Sequence, residues 1–115
     1  MHTTDVAQKY FDLSNQAELA TIADLIHPQA TYSSDNTGLY YGRKSIMQMM
    51  QQFFALHQSL HWHIDSLKQL SDHIVEIEFT CKYITADDQG SRQGIERIVA
   101  VDGQIRHIEV QAINS

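Results

Sequence analysis

The feature of this chain that most constrains its fold is a change in the spacing of apolar residues after Leu60. Before that point they recur every three or four positions, which is the period of one face of an α-helix. After it they alternate with polar residues, as in a half-buried β-strand. Helices followed by an antiparallel sheet define the α+β class. This order predicts a curved sheet wrapped around the N-terminal helices, with an apolar pocket between them.

The first half of the chain predicts helices near residues 4–26 and 43–58, with an interruption at 14–16. Pro28 ends the first helical region, because the residue before a proline avoids the helical conformation. Gly42 can take up the bend into the second region. The second stripe is formed by Ile46, Met49, Met50 and Phe53.

The second half predicts strands. Residues 74–83 alternate cleanly, and residues 95–101 and 104–112 flank Asp102-Gly103, a strong two-residue hairpin signal. A shorter strand-like piece, residues 30–34, precedes Asp35 and a glycine turn.

Composition bounds the class of protein. The 115 residues fit one domain, 1–115, and 43% apolar with 19% charged residues is typical of a globular protein. No apolar run reaches the roughly 20 residues that span a bilayer, and the first residues lack the pattern of a secretion signal. A single cysteine, Cys81, is compatible with a reducing compartment. We therefore expect a cytoplasmic protein without a membrane partner.

The charge balance argues against nucleic acid as a partner. The formal net charge is −6 with only eight lysines and arginines, whereas a duplex-binding surface needs cations that displace phosphate counterions. The same balance disfavours an anionic membrane surface.

Three residues could carry proton chemistry. Tyr10 lies on the apolar stripe of the first helix, as an oxyanion donor or as a core tyrosine bonded to the backbone. Asp35 is either a turn former or a general base beside an apolar cavity. Glu96 shares a strand face with Gly94 and Ile98, and is either an acid inside an apolar pocket or a solvated acid.

No metal or cofactor is expected. His57, His61 and His63 lack an established zinc spacing and a completing carboxylate, so rim or surface positions explain them. Cys81 lies among apolar strand residues without a positive neighbour that would activate its thiol. No phosphate-binding glycine loop is present.

These residues together resemble the nuclear-transport-factor-2-like superfamily, a cystatin-like group, and in particular its SnoaL-like and ketosteroid-isomerase-like members. The resemblance covers almost the whole chain. It is carried by residues 7–11, residues 25–32, Gly42-Arg43-Lys44-Ser45-Ile46 and Asp102-Gly103-Gln104-Ile105. It implies a single cone-shaped SnoaL-like domain whose pocket binds a small apolar molecule.

The resemblance also implies residue roles. Tyr10 matches the helix-1 tyrosine that donates to the developing enolate oxygen in ketosteroid isomerases, and Glu96 matches the protonated strand acid that supplies the second donor. The proton-shuttling aspartate falls at Ser34, with Asp35 adjacent, and Met50 stands where a tyrosine would buttress the first one. The oxyanion pair is thus retained while the base is displaced by one position.

Two functional hypotheses follow. The first is an isomerase or cyclase acting on an apolar carbonyl compound, with Asp35 as the base and Tyr10 and Glu96 as donors. The second is a non-catalytic ligand-binding or dimerisation module. Either way we expect the pocket to be lined as well by Tyr32, Phe53, Trp62 and Tyr83.

A homodimer is expected, from family habit and from the outer face of the sheet. If Glu96 faces the cone, then Ile95, Val99 and Val101 lie outside. Such an apolar row is readily covered by the same row of a second copy.

Overall fold

The computed structural model describes residues 2–113 as three helices and one six-stranded sheet. The helices are α1 (Thr3–Asn15), α2 (Leu19–Leu25) and α3 (Arg43–Ala55). The strands are β1 (Ile26–Ser34), β2 (Gly38–Tyr41), β3 (Ser59–Gln69), β4 (Ile74–Ile84), β5 (Gln89–Val101) and β6 (Gln104–Ile113). The strand order is β2-β1-β6-β5-β4-β3, and the curved sheet does not close into a barrel. The predicted α+β cone is confirmed.

The predicted breaks in the chain have local causes. α1 ends before Ala17, whose φ of 55° lies in the left-handed region and turns the chain into α2. Gly42 precedes α3 with a φ of 90°, and its amide donates to the carbonyl of Ala30 at 2.7 Å. Asp102 and Gly103 both have positive φ, as the hairpin between β5 and β6 requires.

One pairing in the sheet differs from the purely antiparallel expectation. β1 runs parallel to β6, in register from Thr31 opposite His107 to Ser34 opposite Val110. The other four ladders are antiparallel. The exception arises because β6, after the hairpin, lies next to β1, which precedes it by some 75 residues and runs in the same direction.

The helices cover only one face of the sheet. α1 packs on β3, β4 and β5, while α3 packs on β1 and β2. The core between these layers includes fully buried Ile22, Ile46, Ile77 and Ile98. None of the helices in residues 2–113 is long and apolar enough to cross a membrane.

Candidate functional site

Inward-facing side chains form cross-strand rows that run from the open end of the cone to its interior. Successive rows lie two residues apart on each strand, because side chains on a strand alternate between faces. From the open end inward, the rows are Leu60–Tyr83–Gly90, then Trp62–Cys81–Arg92, then Phe79–Gly94–Ala112, then Ile77–Glu96–Val110. Arg92 is exposed and Glu96 is buried, so each successive row lies deeper inside the cone.

A cavity of about 280 Å³ lies between these rows and helices α1 and α3, close to the lower limit of small-molecule sites. Exposed residues at one end, including Asp35 and Arg92, form its mouth. Six of the seven side chains proposed from the sequence line it: Tyr10, Tyr32, Asp35, Phe53, Trp62 and Glu96. The structure therefore brings together residues that are up to 86 positions apart in the chain.

Tyr83 is the exception and does not line the cavity. It faces inward, as its alternation predicts, but it belongs to the row beyond the mouth. Its ring lies across Gly90, where an added Cβ would come within 3.0 Å of the tyrosine oxygen. The guanidinium carbon of Arg92 lies 4.2 Å from the centre of the same ring. Tyr83 thus contacts a mouth residue rather than the cavity.

Glu96 lies at the inner end of the cavity. It is 5% exposed, and burial raises the pKa of its carboxyl from 4.5 to about 8. Its Oε2 has no hydrogen-bond partner within residues 2–113. The carboxyl is therefore mostly protonated at neutral pH, and its Oε2 is a buried polar atom without a protein partner at the inner end of the cavity.

Two tyrosines share this inner end with Glu96. Burial, and then the proximity of Glu96, raise the pKa of both Tyr10 and Tyr32. Both hydroxyls consequently keep their protons at any physiological pH. Together with the neutral acid they form a group of uncharged hydrogen-bond donors.

Asp35 occupies a different environment. It follows β1 at the mouth and is exposed, and its Oδ2 accepts a hydrogen bond from the amide of Ala112 at 3.2 Å. Its own amide donates to the carbonyl of Val110 at 3.3 Å. The carboxylate is thus held at the end of β6, next to Ala112 in the row that contains Gly94.

The two positions at which the chain departs from the isomerase pattern also line the cavity. Ser34 is half-buried beside Asp35, and Met50 is buried on α3. Met50 offers no hydroxyl, so Tyr10 receives no hydrogen bond from this position.

Sequence reasoning missed two residues that shape the site. The side chain of Asn15 pairs with the backbone of Trp62 on the edge strand β3, accepting from its amide at 2.7 Å and donating to its carbonyl at 2.9 Å. Gly94 lets the ring of Phe79 lie across β5, since an added Cβ would come within 2.5 Å of that ring. A glycine inside a strand is a recognisable signal for such close approach, whereas nothing in the sequence marks Asn15.

The site provides no metal-binding cluster within the described part of the chain, where no three His, Cys, Asp or Glu side chains converge. Cys81 lines the cavity and, contrary to the expectation from the sequence, has a positive neighbour, Arg92. Burial nevertheless has the larger effect and raises the pKa of the thiol to about 11, although Arg92 lowers it. The thiol therefore remains protonated and a poor nucleophile.

Solved structures with the same fold are numerous but distant in sequence. A nuclear-transport-factor-2-like protein of unknown function from Burkholderia pseudomallei superposes with a TM-score of 0.88 at 7% identity, covering 98% of this chain and 92% of that one. An LEH-like epoxide hydrolase from Mycobacterium tuberculosis gives a TM-score of 0.84 at 10% identity, covering 96% of this chain and 82% of that one. A hypothetical protein with a ketosteroid-isomerase-like fold from Catenulispora acidiphila, in complex with trimethylamine, gives a TM-score of 0.81 at 14% identity, covering 96% of this chain and 85% of that one. Such identities establish the fold alone.

Sequence comparison gives the family. No curated protein matches this chain significantly. The model of the SnoaL-like domain matches residues 7–108, which include Tyr10, Asp35 and Glu96. The chain belongs to the SnoaL-like domain family.

Proposed function

We propose that this domain binds a small, largely apolar carbonyl compound and isomerises or cyclises it by proton transfer, without a cofactor. Asp35 removes a proton from the carbon next to the carbonyl group. Tyr10 and neutral Glu96 donate hydrogen bonds to the oxygen of the resulting enolate. In the isomerisation Asp35 then returns the proton to another carbon. In the cyclisation the enolate carbon instead forms a bond to a second carbonyl carbon of the same molecule, and the oxygen of that carbonyl takes the proton back from Asp35, so atoms and charge balance in both reactions.

The unpartnered oxygen of Glu96 carries this proposal. A buried carboxyl without a partner is costly unless a ligand satisfies it, and a carbonyl oxygen that becomes an enolate is a suitable acceptor. The apolar walls supplied by Phe53, Trp62 and Phe79 favour a hydrophobic ligand body. Removal from water also strengthens each hydrogen bond to the developing charge.

Exchange of carbon-bound hydrogen tests the proton transfer directly. A panel of bicyclic and tricyclic unsaturated ketones is incubated with the protein in D₂O, and deuterium incorporation is followed by NMR. We expect exchange that falls by roughly 100-fold or more in Asp35→Asn, while Asp12→Asn, an exposed acid on α1, keeps the wild-type rate. Glu96→Gln should retain ligand binding, because an amide still donates.

Non-catalytic binding is the second candidate, and the position of Asp35 favours it. The carboxylate is exposed and already accepts a hydrogen bond from Ala112, so it lies at the mouth and not beside Glu96. Native mass spectrometry that finds a retained ligand, together with wild-type exchange no faster than in protein-free buffer, would select this candidate over the enzyme. Wild-type exchange that persists unchanged in Asp35→Asn would refute Asp35 as the base.

A homodimer through the outer face of the sheet is also proposed. With Glu96 inside the cone, Ile95, Val99 and Val101 face outward, and each is half-buried in the single chain. Light scattering at micromolar concentration should give twice the chain mass, and Val99→Glu should halve it. A wild-type monomer mass would refute the dimer. The cytoplasmic location expected from the sequence stays a prediction.

A further inference from the structure

Arg92 holds an unusual position at the mouth of the cavity. Among the described residues that line the cavity it is the sole cation. It shares the inward face of β5 with Gly94 and Glu96, and its row continues through Cys81 to Trp62. Within residues 2–113, no carboxylate oxygen lies within 4.0 Å of its guanidinium nitrogens, the distance limit for an ion pair. A ligand that enters the cavity therefore passes a guanidinium that is not ion-paired within the described residues, while the carboxylate of Asp35 also lies at the mouth.

Tyr83 fixes where that charge lies. Its ring lies close to Gly90, and the Arg92 guanidinium carbon lies 4.2 Å from the centre of the same ring. A cation over an aromatic face is attracted by the ring quadrupole, which restricts an otherwise flexible side chain. Because Gly90 has no side chain, the ring can lie flat enough to serve as this support.

The rings of Phe54 and Trp62 line the cavity with their centres 5.7 Å apart. We propose that the ligand is an amphipathic organic acid, whose oxyanion pairs with Arg92 at the mouth while its apolar body lies against these two rings. This inference rests on the proposed small-molecule binding and adds the ligand's charge. Arg92 and Glu96 are four residues apart on β5, which places their Cα atoms about 13 Å apart. The acid group and the group that meets Glu96 therefore lie at opposite ends of the ligand.

A matched pair of fluorescent probes tests the charge preference. 8-Anilinonaphthalene-1-sulfonate and N-phenyl-1-naphthylamine share one skeleton and differ by the sulfonate. We expect the folded wild-type protein to bind the anionic probe roughly three- to fivefold more tightly in about 50 mM salt, which is the upper part of the range for an exposed ion pair. Raising the salt to about 500 mM should shrink the difference, because exposed charges are screened.

Variants separate the site from the overall charge. Arg92→Gln should abolish the preference, because it should lower the affinity for the anionic probe more than the affinity for the neutral probe. Arg106→Gln removes the same charge from an exposed position outside the cavity, so it should retain the preference. Tyr83→Leu should weaken the preference at constant charge, and Tyr83→Phe, which keeps the ring, should restore it. Thermal unfolding verifies that each variant is folded.

The outcomes are distinguishable. Equal affinity of the wild type for both probes, or a preference that survives in Arg92→Gln, overturns the charge assignment while leaving small-molecule binding intact. Failure of the wild type to bind either probe removes the proposed binding function, and the role of Arg92 with it.

Discussion

Glu96 and Arg97 are neighbours on β5, but they lie on opposite faces of the strand and differ in burial and in pairing. Glu96 faces the cavity, 5% exposed and without a partner for Oε2 within residues 2–113. Arg97, the next residue, faces outward, where its guanidinium meets the carboxylate of Glu76 at 3.0 Å with 52% of its side chain exposed. The outer charge is hydrated and paired, whereas the inner carboxyl avoids desolvation by remaining neutral. An unsatisfied, uncharged donor in the buried part of the inner face, four residues from Arg92 at the mouth, is what distinguishes the site.

Replacing Glu96 should produce the largest effect, and it depends on pH. Because the folded-state pKa of about 8 exceeds the usual 4.5, the native state holds a proton that the unfolded chain releases. The free energy of unfolding should therefore fall as pH rises from about 4.5 to about 8, by up to about 5 kcal/mol at 1.36 kcal/mol per pKa unit. Glu96→Gln should remove this decline in urea unfolding at pH 5, 7 and 9.

Glu78→Gln is the matched control, because it makes the same change at an exposed position on β4. A Glu96→Gln profile parallel to that of the wild type would erase the contrast between the two faces.

Gly94→Ala should give the next largest effect, on the inner face. The new methyl group would lie 2.5 Å from the Phe79 ring and 3.1 Å from the carbonyl oxygen of Gln111. Either the ring or the backbone must shift, which should lower the free energy of unfolding by about 3 kcal/mol in urea denaturation. Gly90→Ala meets only the flexible end of Tyr83 and should lose under about 1 kcal/mol. Equal losses of unfolding free energy in Gly94→Ala and Gly90→Ala would show that the cost of an added methyl group does not depend on depth in the cone.

Asn15→Ala should have an intermediate effect. It removes both hydrogen bonds to the backbone of Trp62 and leaves an edge-strand amide and carbonyl without these partners. We expect a loss of about 2 kcal/mol in the free energy of unfolding. Gln16→Ala, exposed after the same helix, should stay within about 0.5 kcal/mol. Similar losses in the two variants would contradict the pairing.

Arg97→Gln should have the smallest effect, because an exposed ion pair contributes little. We expect a loss of about 0.5 kcal/mol that decreases in high salt. Urea unfolding at two ionic strengths measures it. A loss above about 2 kcal/mol would mean that the outer face is not the solvated surface described above.

Local patterns in the sequence predicted much of this structure. The alternation of apolar and polar residues placed Glu96 on the face of β5 opposite to that of Ile95 and Arg97, and Asp102-Gly103 predicted the hairpin. Alternation alone could not decide which face is concave, since apolar residues occur on both and the position of α1 decides. It also placed Tyr83 correctly on the inner face but could not show that the residue lies one row beyond the mouth.

The remaining features depend on contacts between distant parts of the chain. The parallel pairing of β1 with β6 and the bonds from Asn15 to Trp62 join segments that no local pattern relates. The exposure of Asp35 also depends on a contact between distant segments, because the end of β6 determines where its carboxylate is held.

The protonation state of Glu96 is the most direct test of this account. Selective ¹³C labelling of the glutamate carboxyl carbons, with assignment by comparison to Glu96→Gln, allows its titration to be followed by NMR from pH 4 to 10. The account predicts that the Glu96 carbon titrates with a pKa of about 8, so that the carboxyl is a neutral donor at pH 7. A pKa below about 5 would show an ionised Glu96 at neutral pH and contradict the proposed site.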